Sequence, residues 1–343
     1  MVEVFSLINW EIYRWVEKMK KRIEYIDKLK GVAMLMVVVG HLLSISFGNS
    51  NGNPLFVICE TIQMTLFSFL SGFVIQSMSF GKVVKKLPQF LLPMIIVGVL
   101  YTYYTNRTII QFLHSPFKHG YWYFLFLIYC YLCVSVISCI SYRFKREYLN
   151  ALQDLSWLVF FYASFKILET VTHVTWSRDL FSLQLFSGYW PCFMLGIIAR
   201  KYNFVTYLAH HNIIFSGVLL MYVPFAFWYS LHGGMFKYLA AFCAIISLLY
   251  LFYDREGKHS LFDTILSFVG KTSIDVYLFH FFFLNAINLS VLGEWLDFTQ
   301  NYLLESLLVT TIALLISYIS IIISKVIKKS VLLTALVYGK VSC

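Results

Sequence analysis

The residue with the clearest chemical potential is His41, inside the run Lys28-Leu-Lys-Gly-Val-Ala-Met-Leu-Met-Val-Val-Val-Gly-His41. Neutral imidazole is a good general base near pH 7. An ionisable ring in an apolar stretch is costly in lipid, so such a residue marks a functional site by default. The plainer reading is a histidine hydrogen-bonded to a neighbouring helix for packing. Lys30 precedes it by eleven residues. At about 100° and 1.5 Å per residue the two side chains share one helix face, about 16 Å apart along the axis. Asp27 lies about 40° off that face. An oxyanion needs donors within about 3 Å, so Lys30 can guide an anion but cannot touch a group reacting at His41.

Lys82, Lys85 and Lys86 form a second cluster in Gly81-Lys-Val-Val-Lys-Lys-Leu-Pro88. They suit membrane anchors, and equally an anion site for a phosphorylated cofactor. Other polar groups fall at segment depth: Glu60, Gln63, Ser71, Lys166, Glu169 and His280. Lys166 and Glu169 are three apart, the spacing of a structural ion pair on a helix. His280 reads either as a packing residue or as part of a site. Cys130 and Cys133 form a C-x-x-C on an apolar helix, with no second pair or histidine at zinc spacing. They read as small buried hydrophobes, and neither a metal nor a disulfide framework is expected.

The elements that must hold these residues are membrane helices. Hydrophobic residues make up 59% of 343 and charged ones 13%, about half the charge of a soluble domain. Mean hydropathy is +0.73. The apolar runs are continuous rather than alternating, which excludes a β-barrel. Ten segments are long enough to span a bilayer: roughly 30–48, 56–79, 88–105, 121–141, 152–171, 181–199, 210–230, 235–253, 272–291 and 302–325. The expected fold is all-α and polytopic. With a cytoplasmic N-terminus, the inner side holds twenty-one Lys and Arg and the outer loops four. The positive-inside rule then puts both termini in the cytoplasm and His41 at about mid-membrane. The net charge of +10 is thereby explained by topology. No nucleic-acid motif is present, and no nucleic acid is expected as a partner. Residues 1–29 read as an interfacial amphipathic segment (Val4, Ile8, Ile12, Trp15, Met19), 30–329 as the transmembrane domain and 330–343 as a short cytoplasmic tail.

Several stretches resemble one family. Arg22-Ile-Glu-Tyr-Ile-Asp27-Lys-Leu-Lys30-Gly-Val-Ala, running to Gly40-His41, resembles the opening of the membrane acyltransferase 3 family, with a basic residue, ten intervening residues and a histidine. Gln63-Met-Thr-Leu-Phe-Ser-Phe-Leu-Ser-Gly-Phe73, Gly120-Tyr-Trp-Tyr-Phe-Leu125, Phe193-Met-Leu-Gly-Ile-Ile-Ala-Arg200 and Gly270-Lys-Thr-Ser-Ile-Asp-Val-Tyr-Leu-Phe-His280 agree in order. The resemblance covers about residues 22–325. It implies transfer of an acyl group, usually acetyl from acetyl-CoA, to hydroxyls of surface carbohydrates.

By position, the resemblance makes His41 catalytic, with Lys30 as its basic motif partner, and Asp27 joins the expected catalytic set from the shared helix face. Lys82 and Lys85 occupy the place of an Arg-x-x-Arg pair that relatives use for acyl-CoA. Lysine lacks the bidentate phosphate grip of arginine. Lys86, Ser71 and Trp122 are expected beside the donor, and Glu60, Gln63, His119, Tyr123 and His280 beside the acceptor. Ser71, Trp122 and Tyr123 are also the candidates for oxyanion donor. The partners implied are acetyl-CoA, a glycan or lipid-linked saccharide, and the lipids of the cytoplasmic membrane. Some relatives carry a fused extracytoplasmic domain that finishes the transfer. The tail after Lys329 is too short for one, so the membrane domain is expected to complete the reaction. Two rival readings are a transporter or flippase of an envelope glycan, and an assembly partner in which His41 is dispensable. Against the first, no pair of Gly/Pro-broken helices sits at matching positions of two halves.

Overall fold

The structure is a computed structural model that describes residues 23–48, 53–75, 77–141, 144–172 and 177–340. The amphipathic pattern at residues 4–22 lies outside the described residues. The described chain is all-helical. The main helices are α1 (Glu24–His41), α2 (Pro54–Val74), α3 (Phe80–Tyr104), α4 (Trp122–Ile140), α5 (Glu147–Val171), α6 (Leu183–Lys201), α7 (Asn212–His232), α8 (Phe236–Tyr253), α9 (Leu261–Lys271), α10 (Ser273–Ala286) and α11 (Tyr302–Ile327).

Local sequence sets the boundaries. Asn53 caps α2 by accepting from Leu55 N–H at 2.8 Å, and Pro54 takes the first helical position, where its missing N–H costs nothing. Ser260 caps α9 by accepting from Asp263 N–H and returns its own hydroxyl to that carboxylate. Directly after His41 the chain widens into a π-helical turn, Leu42–Ser46. Such turns recur at functional sites. This one is held by Ser46, whose hydroxyl donates to Leu284 O and whose carbonyl accepts from Leu289 N–H.

Seven helices among the described residues are long and apolar enough to cross a membrane: α1 with its π turn, α2, α3, α4, α7, α8 and α11. An eighth span is available if α9 and α10, bent by 83°, count as one. The segments expected at 152–171 and 181–199 do form helices, α5 and α6, but they are less apolar. Asp154, Lys166 and Glu169 dilute α5, and Arg200 and Lys201 end α6. The span through α1 runs from Glu24 to Ser46, which places His41 in its last third rather than at its middle.

The core is organised on α1. Helix crossings are made at glycines that admit a facing backbone. A Cβ at Gly31 would strike Leu266 O, and one at Gly270 would strike Asp27 O, which locks α1 to α9. Gly72 against Phe193 O and Gly196 against Phe69 O do the same for α2 and α6. Small residues at such crossings are the usual device for close helix approach in membranes. By contrast α7 keeps most of its surface outside the bundle. The segment after Lys329 is not a loose tail. Val331–Tyr338 is helical, Tyr338 hydroxyl meets Ser324 Oγ at 2.6 Å, and Gly339 abuts Pro88 O.

Candidate active site

His41 closes α1 half-buried, and the structure sets His280 of α10 beside it. The two imidazoles stack with centroids 5.7 Å apart and planes 23° from parallel. Phe281 packs on both rings, at 4.8 Å from His41 and 4.1 Å from His280. His280 is wholly buried. Its Nδ1 lies 3.0 Å from the carbonyl oxygens of Val276 and Tyr277. A carbonyl only accepts, so Nδ1 carries the proton and Nε2 of the neutral ring is left as an acceptor. That Nε2 is buried and has no hydrogen-bond partner among the described residues.

Gln63 of α2 is the third member. Its side chain lies against Gly40, where a Cβ would sit 3.0 Å from Oε1, so the missing side chain at Gly40 admits Gln63 next to His41. Gln63 Oε1 is likewise buried without a partner. Two buried acceptors without partners thus lie at the end of α1, one against Gly40 and one on the ring stacked with His41.

Aromatic residues of α4 and α10 form the wall. Tyr277 donates its hydroxyl to Gly120 O at 2.6 Å and accepts from Tyr123 N–H at 3.3 Å. Tyr121 donates to Leu278 O at 2.9 Å. Ser71 and Tyr123 share a hydrogen bond of 2.9 Å. Gly120 has φ +104°, and a Cβ there would strike the Phe281 ring, so only glycine permits this turn to rest on the histidine pair. Sequence reasoning missed Tyr277 and Phe281. The signal was present: Tyr277 lies three residues before His280 and therefore on the same face.

The turn before α4 is strained and fastened. Lys118 and His119 both have φ +47°. The Lys118 ammonium, 2% exposed, donates to Leu113 O, Ser115 O and Asp179 O at 2.6–2.8 Å, one carbonyl for each of its three N–H groups. Burial lowers its pKa to about 8 against the opposing pull of Asp179, which leaves it charged at pH 7. His119 Nδ1 meets Thr102 Oγ1 at 3.0 Å, and burial with Arg107 and Lys118 nearby lowers its pKa. His119 thus sits next to Gly120 at the edge of the site rather than on the histidine pair.

The remaining expected residues lie apart. Glu60 accepts from Tyr229 hydroxyl and is 3.5 Å from Lys237 Nζ. Trp122 stacks on Tyr189 at 5.2 Å. Lys82 and Lys85 are exposed on the first turns of α3, while Lys86 is half-buried with its ammonium 5.0 Å from the Tyr131 ring centre. Lys30 is half-buried, and Asp27 is buried at the crossing of α1 with Gly270. The expected ion pair is present, Lys166 Nζ to Glu169 at 3.0 Å. One basic residue near the motif was overlooked. Lys28, 1% exposed, donates to Arg255 O and Lys258 O and lies 3.6 Å from Asp263, which ties the start of α1 to the loop before α9.

A family model described as an acyltransferase domain matches residues 23–322. The chain belongs to the membrane acyltransferase 3 family, and it is a multi-pass membrane acyltransferase. No curated protein and no solved structure matches it.

Proposed function

We propose that this protein transfers an acetyl group from cytoplasmic acetyl-CoA to a hydroxyl of a lipid-linked or cell-surface glycan, in the cytoplasmic membrane, with both termini inside and ten membrane segments. The observation that carries the chemistry is the pair of stacked histidines with two buried orphan acceptors, Gln63 Oε1 and His280 Nε2. A buried unpaired acceptor is costly, and each supports a ligand that brings donors. The pantetheine arm of coenzyme A has amide N–H groups, and the acceptor has its hydroxyl.

In this reading the anionic donor rests its phosphates on Lys82, Lys85, Lys86 and Lys30, and its thioester reaches His41. Asp27 supports the start of α1 rather than the reaction. The acceptor enters from the opposite side, past His119, Glu60 and Trp122. His41 removes the hydroxyl proton as the oxygen attacks the thioester carbonyl. The C–S bond then breaks, and the coenzyme A thiolate takes the proton from His41. In the relay variant the His41 nitrogen first carries the acetyl group. Tyr123, its hydroxyl held by Ser71, stands behind the Tyr277 ring on the wall of the site. His280 Nε2 accepts a hydrogen bond from a second hydroxyl of the acceptor sugar and orients it.

The test is purified protein with radiolabelled acetyl-CoA. His41→Ala is expected to abolish label transfer and acetyl-CoA hydrolysis while eluting as folded protein. Near-normal turnover in that variant would refute the assignment. Intersecting double-reciprocal lines in initial-rate kinetics would exclude the acyl-histidine relay.

A further inference from the structure

A cavity of about 850 Å³ opens between α5, α6 and α8, away from the histidine pair. It follows α6 from Gln184 to Tyr202, a length of about 27 Å at 1.5 Å per residue, close to the roughly 30 Å thickness of a bilayer's hydrocarbon. Its walls are apolar over most of that length, with Phe69, Leu195, Phe242 and Leu249 among them. At the Gln184 end the lining turns polar, with Lys166, Gln184, Ser187 and Tyr238. Glu169 Oε2 takes a hydrogen bond from Lys166 at 3.0 Å and another from Ser187 at 2.8 Å, which fixes the lysine at that mouth. One of its three N–H groups is used, and the side chain is 53% exposed. At the opposite end Asp154 accepts from the Tyr202 hydroxyl and from the Lys201 ammonium, which lies behind the Tyr202 ring rather than in the lining.

The polar mouth is joined to the histidine pair by a chain of rings. Tyr189, next to the lining residue Gly188, stacks on Trp122 at 5.2 Å. From Trp122 the sequence of neighbouring rings is Tyr123 at 5.8 Å, Tyr277 at 6.3 Å, His280 at 6.2 Å and His41 at 5.7 Å. The negative face of an aromatic ring attracts the C–H groups of a sugar.

We infer that the groove between α5, α6 and α8 seats the hydrocarbon chain of a lipid-linked saccharide. Its phosphate lies at Lys166, Gln184 and Ser187, and its sugar is directed along Tyr189 and Trp122 toward His41. Three observations select this occupant: a groove as long as a lipid tail needs, a cation in the lining itself at the end nearer the aromatic chain, and the continuity of that chain with the histidines. The chemistry of the sugar's acylation rests on the acyl-transfer reading above. The seat itself does not, and it is tested by binding alone.

The experiment is native mass spectrometry of the full chain in detergent micelles, titrated with polyprenyl phosphate. Wild type is expected to bind one polyprenyl phosphate, and phosphatidylglycerol to compete at least tenfold less well. Leu195→Trp, which fills the groove, and Lys166→Gln, which removes its cation, are each expected to weaken binding at least tenfold. Lys166 is half-exposed, so that variant folds even if the bulky one does not. Wild-type affinity in Lys166→Gln, wild-type affinity in a folded Leu195→Trp, or equal binding of phosphatidylglycerol overturns the proposal. Tight polyprenyl phosphate binding by a protein that neither hydrolyses acetyl-CoA nor passes its label to a glycan would refute the acyl-transfer reading and leave the seat standing.

Discussion

Gly72→Ala isolates how the helix crossing positions the site. Gly72 follows Ser71, the residue hydrogen-bonded to Tyr123. A Cβ at Gly72 would fall inside the contact shell of Phe193 O, a backbone atom that cannot swing aside as a side chain can. Restoring ordinary contact requires α2 and α6 to part by on the order of 1 Å. Overpacking of this kind costs about 1–3 kcal/mol, and a rigid backbone obstacle belongs at the upper end. Replacing a helical glycine by alanine returns about 1 kcal/mol of helix propensity. The net expectation is a loss of about 2 kcal/mol. A shift of about 1 Å near reacting groups also costs up to 10²-fold in rate. The assay pairs thermal unfolding in detergent with acetyl-CoA turnover. Gly217→Ala on α7 is the control, because nothing lies within 4 Å of its added Cβ, and it is expected to be neutral or stabilising. A Gly72→Ala variant that gains stability and keeps full turnover refutes the crossing as the positioning device.

Two further outcomes follow from the same geometry. His280→Phe keeps a ring against His41 but removes the Nε2 acceptor, and it is expected to reduce acyl transfer about 10²-fold. His280→Gln, which restores an acceptor, should retain more activity in steady-state kinetics, and the reverse order would count against the orienting role. Lys118→Met strips three carbonyls of their buried donor, at about 1–3 kcal/mol for each acceptor left unsatisfied. It should lower the melting temperature and speed hydrogen exchange over residues 113–120, and unchanged exchange would show the clamp to be idle.

Much was legible without coordinates. The apolar runs announced an all-helical membrane bundle, since lipid leaves the backbone no other way to satisfy its polar groups. His41 stood out because an ionisable ring in such a run needs a reason, and the Lys30 spacing with the later motifs pointed to the acyltransferase family that the matched model shows. The Lys166–Glu169 pair followed from helical periodicity alone. Periodicity, however, relates only residues on one helix.

The tertiary structure decided what periodicity does not reach. It put His280, far away in sequence, against His41, and it sent Glu60 instead to Tyr229 and Lys237. It left α5 and α6 outside the set of helices apolar enough to cross a membrane, because Asp154, Lys166 and Glu169 dilute α5 and Arg200 and Lys201 end α6. The sequence by itself determined the solvent, the helices and the one histidine worth suspecting, because those depend on local composition and spacing. Only the fold decided that histidine's neighbours, because which faces meet depends on backbone approaches at glycines and on buried hydrogen bonds between distant segments.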